Sequence, residues 1–216
     1  MSARVVGFVP MKADNARLPR KHFLPLAGAP LYTHVFRALC AVQGLEAVYA
    51  WASDPTFAEA LPAEVTFLAR DARFDGNQVL GLELFQGFAA EIEADYYLLA
   101  HATAPFLKTE TMQRGLDGVL SGAHDSAFSA EKIQTYCWYR QKPVNYDPAD
   151  MVRTQDLEPV YIETSGFYVY SRREIMERGR RIGDNPLIVE ISDAEAIDID
   201  WPADYDTAKR FEDLLG

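Results

Sequence analysis

The chain has 216 residues, of which 49% are hydrophobic and 12% aromatic, and its formal net charge at pH 7 is -11. This length and composition are typical of one folded domain with a sizeable core, and they exclude a disordered chain. The acidic balance argues against nucleic acid or an anionic membrane surface as the main partner. The sequence contains no apolar run of the roughly 18 residues that a membrane helix requires. It enters a predicted strand at once, so we expect no signal peptide. We therefore expect a cytoplasmic protein.

The first half of the chain alternates between strand and helix patterns. Apolar runs predict strands, and apolar residues at helical spacing predict helices. The predicted strands are 5–9, 47–52, 65–68, 96–100 and 125–129, and the predicted helices are 31–42, 55–61, 79–92 and 110–120, the last with Thr109 as its N-cap. Such alternation indicates βαβ crossovers, and it predicts an α/β fold with a mostly parallel, Rossmann-like sheet that carries helices on both faces.

Beyond residue 130 the pattern becomes irregular. Strands are predicted at 134–139, 160–163, 166–170, 187–191 and 196–199, and helices at 172–178, capped by Ser171, and at 202–215. The polar segment 140–159 contains three prolines and separates the first two of these strands. We interpret it as an excursion from the main fold, so that residues 1–216 form a single domain with a protrusion at 131–165.

A loop rich in cations follows the first predicted strand. It holds Lys12, Arg17, Arg20 and Lys21 against one acid, Asp14. Ligands of open α/β sheets bind outside the carboxyl ends of the strands, so the loop is placed to bind an anion such as a phosphate. The loop lacks the glycine-rich form of a P-loop. On the residues alone, cations that simply face solvent explain the loop equally well.

Two carboxylates, Asp198 and Asp200, lie two residues apart at the end of a predicted strand. Residues at this spacing point to the same side of a strand, and the intervening Ile199 would face the core. Converging carboxylates repel unless a cation lies between them, and Mg²⁺ is the natural candidate. Alternatively, Asp200 caps the last helix, with Pro202 in its first turn. The residues alone leave both interpretations open.

Several segments, taken in chain order, resemble the acylneuraminate cytidylyltransferases. These are the synthetases of CMP-sialic acid and their relatives for legionaminic, pseudaminic and 3-deoxy-manno-octulosonic acids. The segments span nearly the whole chain and are VPMKADNARLPRKH at 9–22, LPLAGAPL at 24–31, SD at 53–54, LLAHATAPF at 98–106, RTQDL at 153–157, ETSGFYVY at 163–170 and AIDIDWPAD at 196–204.

The resemblance implies a nucleotidyltransferase, GT-A-like version of the fold and a reaction of CTP with a 2-keto sugar acid that yields a CMP-sugar and pyrophosphate. It implies Mg²⁺ as cofactor, held by Asp198 and Asp200, and a catalytic set of Lys12, Lys21 and Asp200. The implied nucleotide-binding residues are Pro10, Met11, Lys12, Asn15, Arg17, Lys21, Arg70 and Asn77, and the implied substrate-binding residues are His101, Thr103, Arg153 and Ser165. It also implies a homodimer, in which the protrusion docks onto a second copy and Arg153 reaches the neighbouring site.

The sequence departs from the family pattern at several positions. The usual Ala-Arg-x-Gly-Ser is replaced by residues 11–15, which place Asp14 where a phosphate would come, the usual Gln is His101, and the Arg that normally follows Pro-Leu is Leu107. These changes leave the identity of the sugar open. His22, His34 and His124 have no neighbours that suggest chemistry.

Two other functions remain possible on the sequence. One is another sugar nucleotidyltransferase or a GT-A-like glycosyltransferase, since both use paired aspartates. The other is a non-catalytic nucleotide-binding protein, which the retained Lys12, Lys21, Asp198 and Asp200 disfavour. The primary expectation is a cytidylyltransferase for surface glycan biosynthesis.

Overall fold

A seven-stranded sheet forms the centre of the computed structural model, which describes residues 3–215. The strands are β1 Val5–Met11, β2 Ala47–Ala52, β3 Val65–Ala69, β4 Tyr96–Ala100, β5 Ser126–Ile133, β6 Val160–Ser171 and β7 Pro186–Glu190. Their order across the sheet is β7-β5-β6-β4-β1-β2-β3. β6 runs antiparallel to its two neighbours, and every other pairing in this sheet is parallel.

Five α-helices accompany the sheet within the described residues: α1 Leu31–Cys40, α2 Gly81–Glu91, α3 Thr109–Leu120, α4 Arg172–Met176 and α5 Pro202–Lys209. α1 and α3 pack with one set of buried strand residues, and α2 and α4 pack with the other. Consecutive residues of β1 alternate between these two cores, as successive side chains of a strand must. The predicted mostly parallel sheet with helices on both faces is therefore confirmed.

Shorter elements connect this framework. Single 3₁₀ turns lie at Lys21–Phe23, Pro55–Ala60, Ala72–Asp75, Thr154–Asp156 and Glu212–Leu215. Two-residue ladders join Pro25–Leu26 to Ala29–Pro30 and Trp138–Tyr139 to Lys142–Pro143. From residue 3 to residue 215, no helix is long and apolar enough to cross a membrane.

Four predicted strands differ from the structure in the second half of the chain. The strands predicted at 160–163 and 166–170 are one strand, β6, whose register shifts between Glu163 and Tyr168. The strand predicted at 134–139 is reduced to Trp138–Tyr139. Segment 196–199 is not a strand, because it pairs with no strand of the sheet. The Ile199 N–H donates instead to the Thr103 carbonyl in the loop after β4, at 2.9 Å.

Helix ends account for the remaining corrections. Thr109 is not the N-cap of α3: it is the first helical residue, and its hydroxyl donates to the Ala38 carbonyl at 2.8 Å. The last α-helix ends at Lys209, and the helix predicted at 55–61 is a 3₁₀ turn. Ser171 does cap α4, accepting the N–H of Glu174 at 3.2 Å.

The strand order determines where a ligand can bind. Connections from β1 lead outward to β2 and β3, and the chain then crosses to β4 on the other side of β1. The carboxyl ends of β1 and β4 therefore flank the point where the strand order reverses, which is where open α/β sheets bind ligands.

Candidate functional site

A cleft of about 320 Å³ opens at the carboxyl ends of β1 and β4. It is lined by the end of β1 and the loop after it, the loop after β3, the first turn of α2, the start of the loop after β4, Ser165 of β6 and the segment before α5. Most of the residues selected from the sequence line it: Pro10, Met11, Lys12, Asn15, Arg17, Lys21, Arg70, His101, Thr103, Ser165, Asp198 and Asp200. Sequence reasoning did not select the other lining residues, which are His22, Phe74, Gly76, Val79, Leu84 and Ala102.

Two cations of the loop pair directly with Asp200 in the lining of this cleft. The Lys21 Nζ lies 2.6 Å from Asp200 Oδ1 and donates to the Ile199 carbonyl at 3.0 Å, while Arg17 Nη1 lies 2.7 Å from Asp200 Oδ2. The Lys21 side chain is only 9% exposed, so its ammonium needs these oxygens as compensation for lost water. Lys12, Arg17 and Lys21 thus line the cleft, whereas Arg20 is exposed and lies over the Phe23 ring.

Asp200 does not cap the last helix. Trp201 occupies the N-cap position of α5, and the Asp204 carboxylate accepts the backbone N–H groups of Asp200 at 3.0 Å and Trp201 at 2.7 Å. The Asp200 side chain instead pairs with Lys21 and Arg17 in the lining of the cleft.

Asp198 lies two residues before Asp200 in the lining of the cleft and is half-buried. Burial raises the pKa of Asp198; the Thr103 hydroxyl opposes the rise, and the neighbouring Asp200 adds to it. Its buried Oδ1 has no hydrogen-bond partner among the described residues. An unpaired carboxylate oxygen next to a second carboxylate is a donor set that suits Mg²⁺, which binds one or two carboxylates and completes its shell with water and phosphate oxygens.

The opposite end of the cleft is held rigidly by Arg70. Its side chain is 2% exposed, and Nη2 donates to the Met11 carbonyl at 2.6 Å and to Asp75 Oδ1 at 2.5 Å. The Ser53 hydroxyl donates to the other Asp75 oxygen, and the Arg70 guanidinium carbon lies 5.2 Å from the centre of the Trp51 ring. These contacts fix the guanidinium before any ligand arrives.

Asn77 acts on the cleft through Lys12. Its Oδ1 accepts a hydrogen bond from the Lys12 Nζ at 2.9 Å, although Asn77 itself is not among the lining residues. Asp14, which the sequence placed near the phosphates, is exposed and lines a separate depression with Ser53 and Asp54. The loop thus turns Asn15 toward the cleft and Asp14 away from it.

Two histidines at the cleft are neutral at pH 7. Burial, assisted by the charge of Lys21, lowers the pKa of His22 to about 3, and its Nδ1 lies 3.0 Å from the Lys12 carbonyl. Burial, assisted by Arg181, lowers the pKa of His101 to about 4. His22 was expected to have no link to the site; its burial below the basic loop was not visible in the sequence.

Arg153 lies outside the cleft of its own chain. It is exposed in the protrusion and forms an ion pair with Asp156 at 2.7 Å. A role at a site would require a second copy of the chain. The same protrusion exposes large apolar side chains, among them Trp138, Tyr139, Val144, Met151 and Ile162.

The chain matches a known protein family over nearly its whole length. Residues 6–214 match the model of the family described as Cytidylyltransferase. The chain is 27% identical to the N-acylneuraminate cytidylyltransferase of Oncorhynchus mykiss, over 96% of this chain and 51% of that protein. It is 26% identical to the CMP-N,N'-diacetyllegionaminic acid synthase of Legionella pneumophila, over 98% of this chain and 97% of that protein. The chain thus spans about half the length of this Oncorhynchus mykiss protein, and about half that of the N-acylneuraminate cytidylyltransferase A of Danio rerio, which it also matches.

Solved structures share the fold. The structure of CMP:2-keto-3-deoxy-manno-octonic acid synthetase complexed with CTP superposes with a TM-score of 0.70 at 18% identity, over 97% of this chain and 98% of that one.

Proposed function

Because the chain belongs to the cytidylyltransferase family, we propose that it transfers CMP from CTP to a nonulosonic, sialic-acid-like 2-keto sugar acid, releasing pyrophosphate. The observation that carries this proposal is that Lys21 and Arg17 pair with Asp200 in the lining of one cleft. A triphosphate requires cations, its divalent counter-ion requires carboxylates, and both are provided within a few ångströms.

Each end of the cleft has a distinct task in this proposal. Lys12, Arg17 and Lys21 bind the triphosphate and offset the charge that builds on the α-phosphorus and on the leaving pyrophosphate. Arg70, already fixed by Met11 and Asp75, contacts the base. His101, Thr103 and Ser165 contact the sugar acid, whose anomeric oxygen bonds to the α-phosphorus while the bond to the pyrophosphate breaks and the hydroxyl proton passes to solvent.

Asp198 and Asp200 would hold Mg²⁺. When bound there, this ion supplies Lewis-acid polarisation of the phosphate oxygens. The chain's contribution is to present two carboxylates, one of them with an unpaired buried oxygen, at the point where the basic loop ends.

We also propose that the protein is a homodimer joined through the protrusion at 131–165. Tyr139 is 64% exposed, Met151 63% and Trp138 57%, and such a concentration of exposed large apolar side chains is typical of a protein interface. Arg153 lies in the same segment, so the interface would carry it toward the partner's cleft. The CMP-sugar product would serve surface glycan synthesis, with the reaction in the cytoplasm, where CTP is available.

Pyrophosphate release tests the proposed reaction. The protein is incubated with CTP, Mg²⁺ and each of N-acetylneuraminate, 3-deoxy-manno-octulosonate and N,N'-diacetyllegionaminate, with UTP as the matched nucleotide control. We expect pyrophosphate and a CMP-sugar of the correct mass with CTP. Transfer from a preformed nucleotide-sugar would instead indicate a glycosyltransferase, and nucleotide binding without turnover would indicate a non-catalytic protein.

A further inference from the structure

A second group of polar side chains adjoins the cleft beyond His101. It consists of Glu163 and Tyr168 on β6 and Arg181 in the segment before β7, and we call it the β6 cluster. The Tyr168 hydroxyl donates to Glu163 Oε1 at 2.6 Å, and Arg181 Nη2 donates to the same oxygen. The Arg181 guanidinium carbon lies 4.3 Å from the centre of the Tyr168 ring, a stacking distance. The guanidinium is therefore fixed in position by an ion pair and an aromatic face.

His101 connects this cluster to the cleft. Its ring centre lies 6.1 Å from that of Tyr168 and 6.4 Å from that of Phe85, and the Arg181 guanidinium carbon lies 5.9 Å from the Phe85 ring centre. His101 and Arg181 thus pack against the same two rings. Since His101 lines the cleft, Arg181 lies just behind the part of the wall that faces the proposed sugar acid.

Two buried nitrogens in this region lack partners. Neither Arg181 Nε nor His101 Nε2 has a hydrogen-bond partner within the described part of the chain. Buried polar groups in folded proteins are nearly always paired, and each unpaired one costs on the order of 1–3 kcal/mol. Two such atoms beside one cleft indicate hydrogen-bonding capacity that is held for a ligand.

The charge balance of the cluster restricts that ligand. Glu163 neutralises Arg181, and the Glu163 side chain is 37% exposed, so a carboxylate oxygen is accessible beside the guanidinium. The neutral His101 ring can accept one hydrogen bond as well as donate one. Together these groups match an uncharged substituent that both donates and accepts hydrogen bonds, and they match a second carboxylate poorly.

We propose that Arg181 and Glu163 determine which sugar acid is used, by binding a hydroxyl or acylamino substituent of the sugar beyond His101. The inference rests on the proposed function, because it takes the ligand of that wall to be the sugar acid. A sugar acid with a hydrogen or methyl group at this point leaves Arg181 Nε and His101 Nε2 without partners, and sites built to bind a polar substituent discriminate strongly against analogues that lack it.

The test compares sugar affinity with nucleotide affinity in matched variants. Sugar-acid Kd is measured by calorimetry in the presence of α,β-methylene-CTP, and steady-state KM and kcat are measured with CTP. The sugar acids are N-acetylneuraminate, 3-deoxy-manno-octulosonate and N,N'-diacetyllegionaminate. The variants are Arg181→Leu, Arg181→Lys and Glu163→Gln, with Arg173→Gln as control, because Arg173 is an exposed arginine of α4 that pairs with Glu177 just beyond the helix.

We expect Arg181→Leu to raise the Kd and KM of the preferred sugar acid at least about tenfold, while kcat and the KM for CTP stay within about twofold. Arg181→Lys should recover part of the affinity, since it keeps the charge and loses the planar stacking. Glu163→Gln should weaken sugar binding in the same direction, and Arg173→Gln should change nothing. Circular dichroism verifies that each variant is folded.

The outcomes separate the two proposals. An unchanged sugar Kd in both Arg181→Leu and Glu163→Gln would overturn the role of the β6 cluster and leave the proposed reaction standing. Sugar binding by the wild-type protein without pyrophosphate release would overturn the proposed reaction, while the Kd comparison would still decide the role of Arg181. If the wild-type protein binds none of the sugar acids, both proposals are overturned.

Discussion

Lys21 shows how single residues couple stability to the proposed chemistry. Its ammonium is nearly buried, and Asp200 and the Ile199 carbonyl provide its compensation. Removing one partner of a buried pair leaves the other charge uncompensated, which is usually more costly than the pair is stabilising. Substitutions at this pair therefore need a variant that keeps a hydrogen bond when the charge is removed.

Asp200→Asn is such a variant. The amide oxygen can still accept from Lys21, so we expect a folded protein with an unchanged circular dichroism spectrum. Loss of the charge weakens the proposed Mg²⁺ site, and pyrophosphate release should fall by about 100-fold or more. Asp206→Asn, in the first turns of α5 and paired with Lys209, is the control and should retain full turnover. Near-normal turnover of Asp200→Asn would rule out a metal role for this residue.

His22 should make the fold sensitive to acid. Its pKa is about 3 in the folded protein and 6.5 when unfolded, so above pH 6.5 it is neutral in both states. Below that pH, His22 becomes protonated in the unfolded chain but stays neutral in the folded protein. The free energy of unfolding therefore falls as the pH is lowered from 6.5 toward 3, by up to about 1.4 kcal/mol per pH unit from this group.

The His22→Asn variant measures this contribution. Its amide nitrogen can replace Nδ1 at the Lys12 carbonyl, so the fold should persist. Urea unfolding between pH 4 and pH 7 should then show a shallower loss of stability than in the wild-type protein. His124→Asn serves as control, and an identical pH slope in wild type and His22→Asn would contradict the assignment.

At the scale of elements, α3 packs unusually close to the sheet. A Cβ atom placed at Gly115 would lie 2.5 Å from the ring of Phe167 on β6, a ring that is fully buried and has no room to withdraw. The glycine thus lets the helix backbone approach the strand that carries Ser165 of the cleft lining, despite its low helix propensity.

Gly115→Ala should accordingly destabilise the protein. Overpacking of a filled core costs about 1–3 kcal/mol, which exceeds the gain of about 1 kcal/mol from alanine's helix propensity. Gly81→Ala at the start of α2 is the control, because its Cβ would meet the Phe85 ring at an ordinary 3.5 Å. Chemical denaturation measures both, and a stabilised Gly115→Ala protein would refute the packing argument.

The sequence predicted the fully apolar strands accurately and the partly polar segments less well. β2 and β4 were predicted to the residue, because each is a continuous apolar run. β6 was predicted as two strands, since Thr164 and Ser165 interrupt its apolar pattern at the irregularity in its register. The predicted strand at 196–199 was wrong because alternating apolar residues also occur in an extended segment that packs on a core without pairing.

The sequence also predicted only part of the candidate site. Residues in contiguous motifs, such as Lys12, Lys21 and Asp200, were selected from the sequence and do surround one cleft. Arg181 and the burial of His22 were missed, because their surroundings come from segments distant in the sequence. Only the folded chain brings Arg181 next to Glu163 and Tyr168.

At the scale of the whole molecule, the protrusion should decide the oligomeric state. Light scattering coupled to size-exclusion chromatography should give twice the 24.3 kDa chain mass at micromolar concentration. Trp138→Glu places a charge in the exposed apolar surface and should yield monomers, whereas Leu120→Glu, on an exposed position at the end of α3, should leave the dimer intact. A monomeric wild-type protein would exclude the proposed dimer.

The ion pair between Lys21 and Asp200 joins positions 179 residues apart in sequence. An N-terminal fragment that has already assembled β1, β2, β3 and β4 would therefore possess the basic loop without its counter-charge. During synthesis the two halves of the cleft are brought together only after residue 200 has left the ribosome. In the proposed reaction, a chain that has not yet reached residue 200 lacks Asp200 and with it the proposed Mg²⁺ site, so we expect nucleotide turnover only after the C-terminal segment has been synthesised.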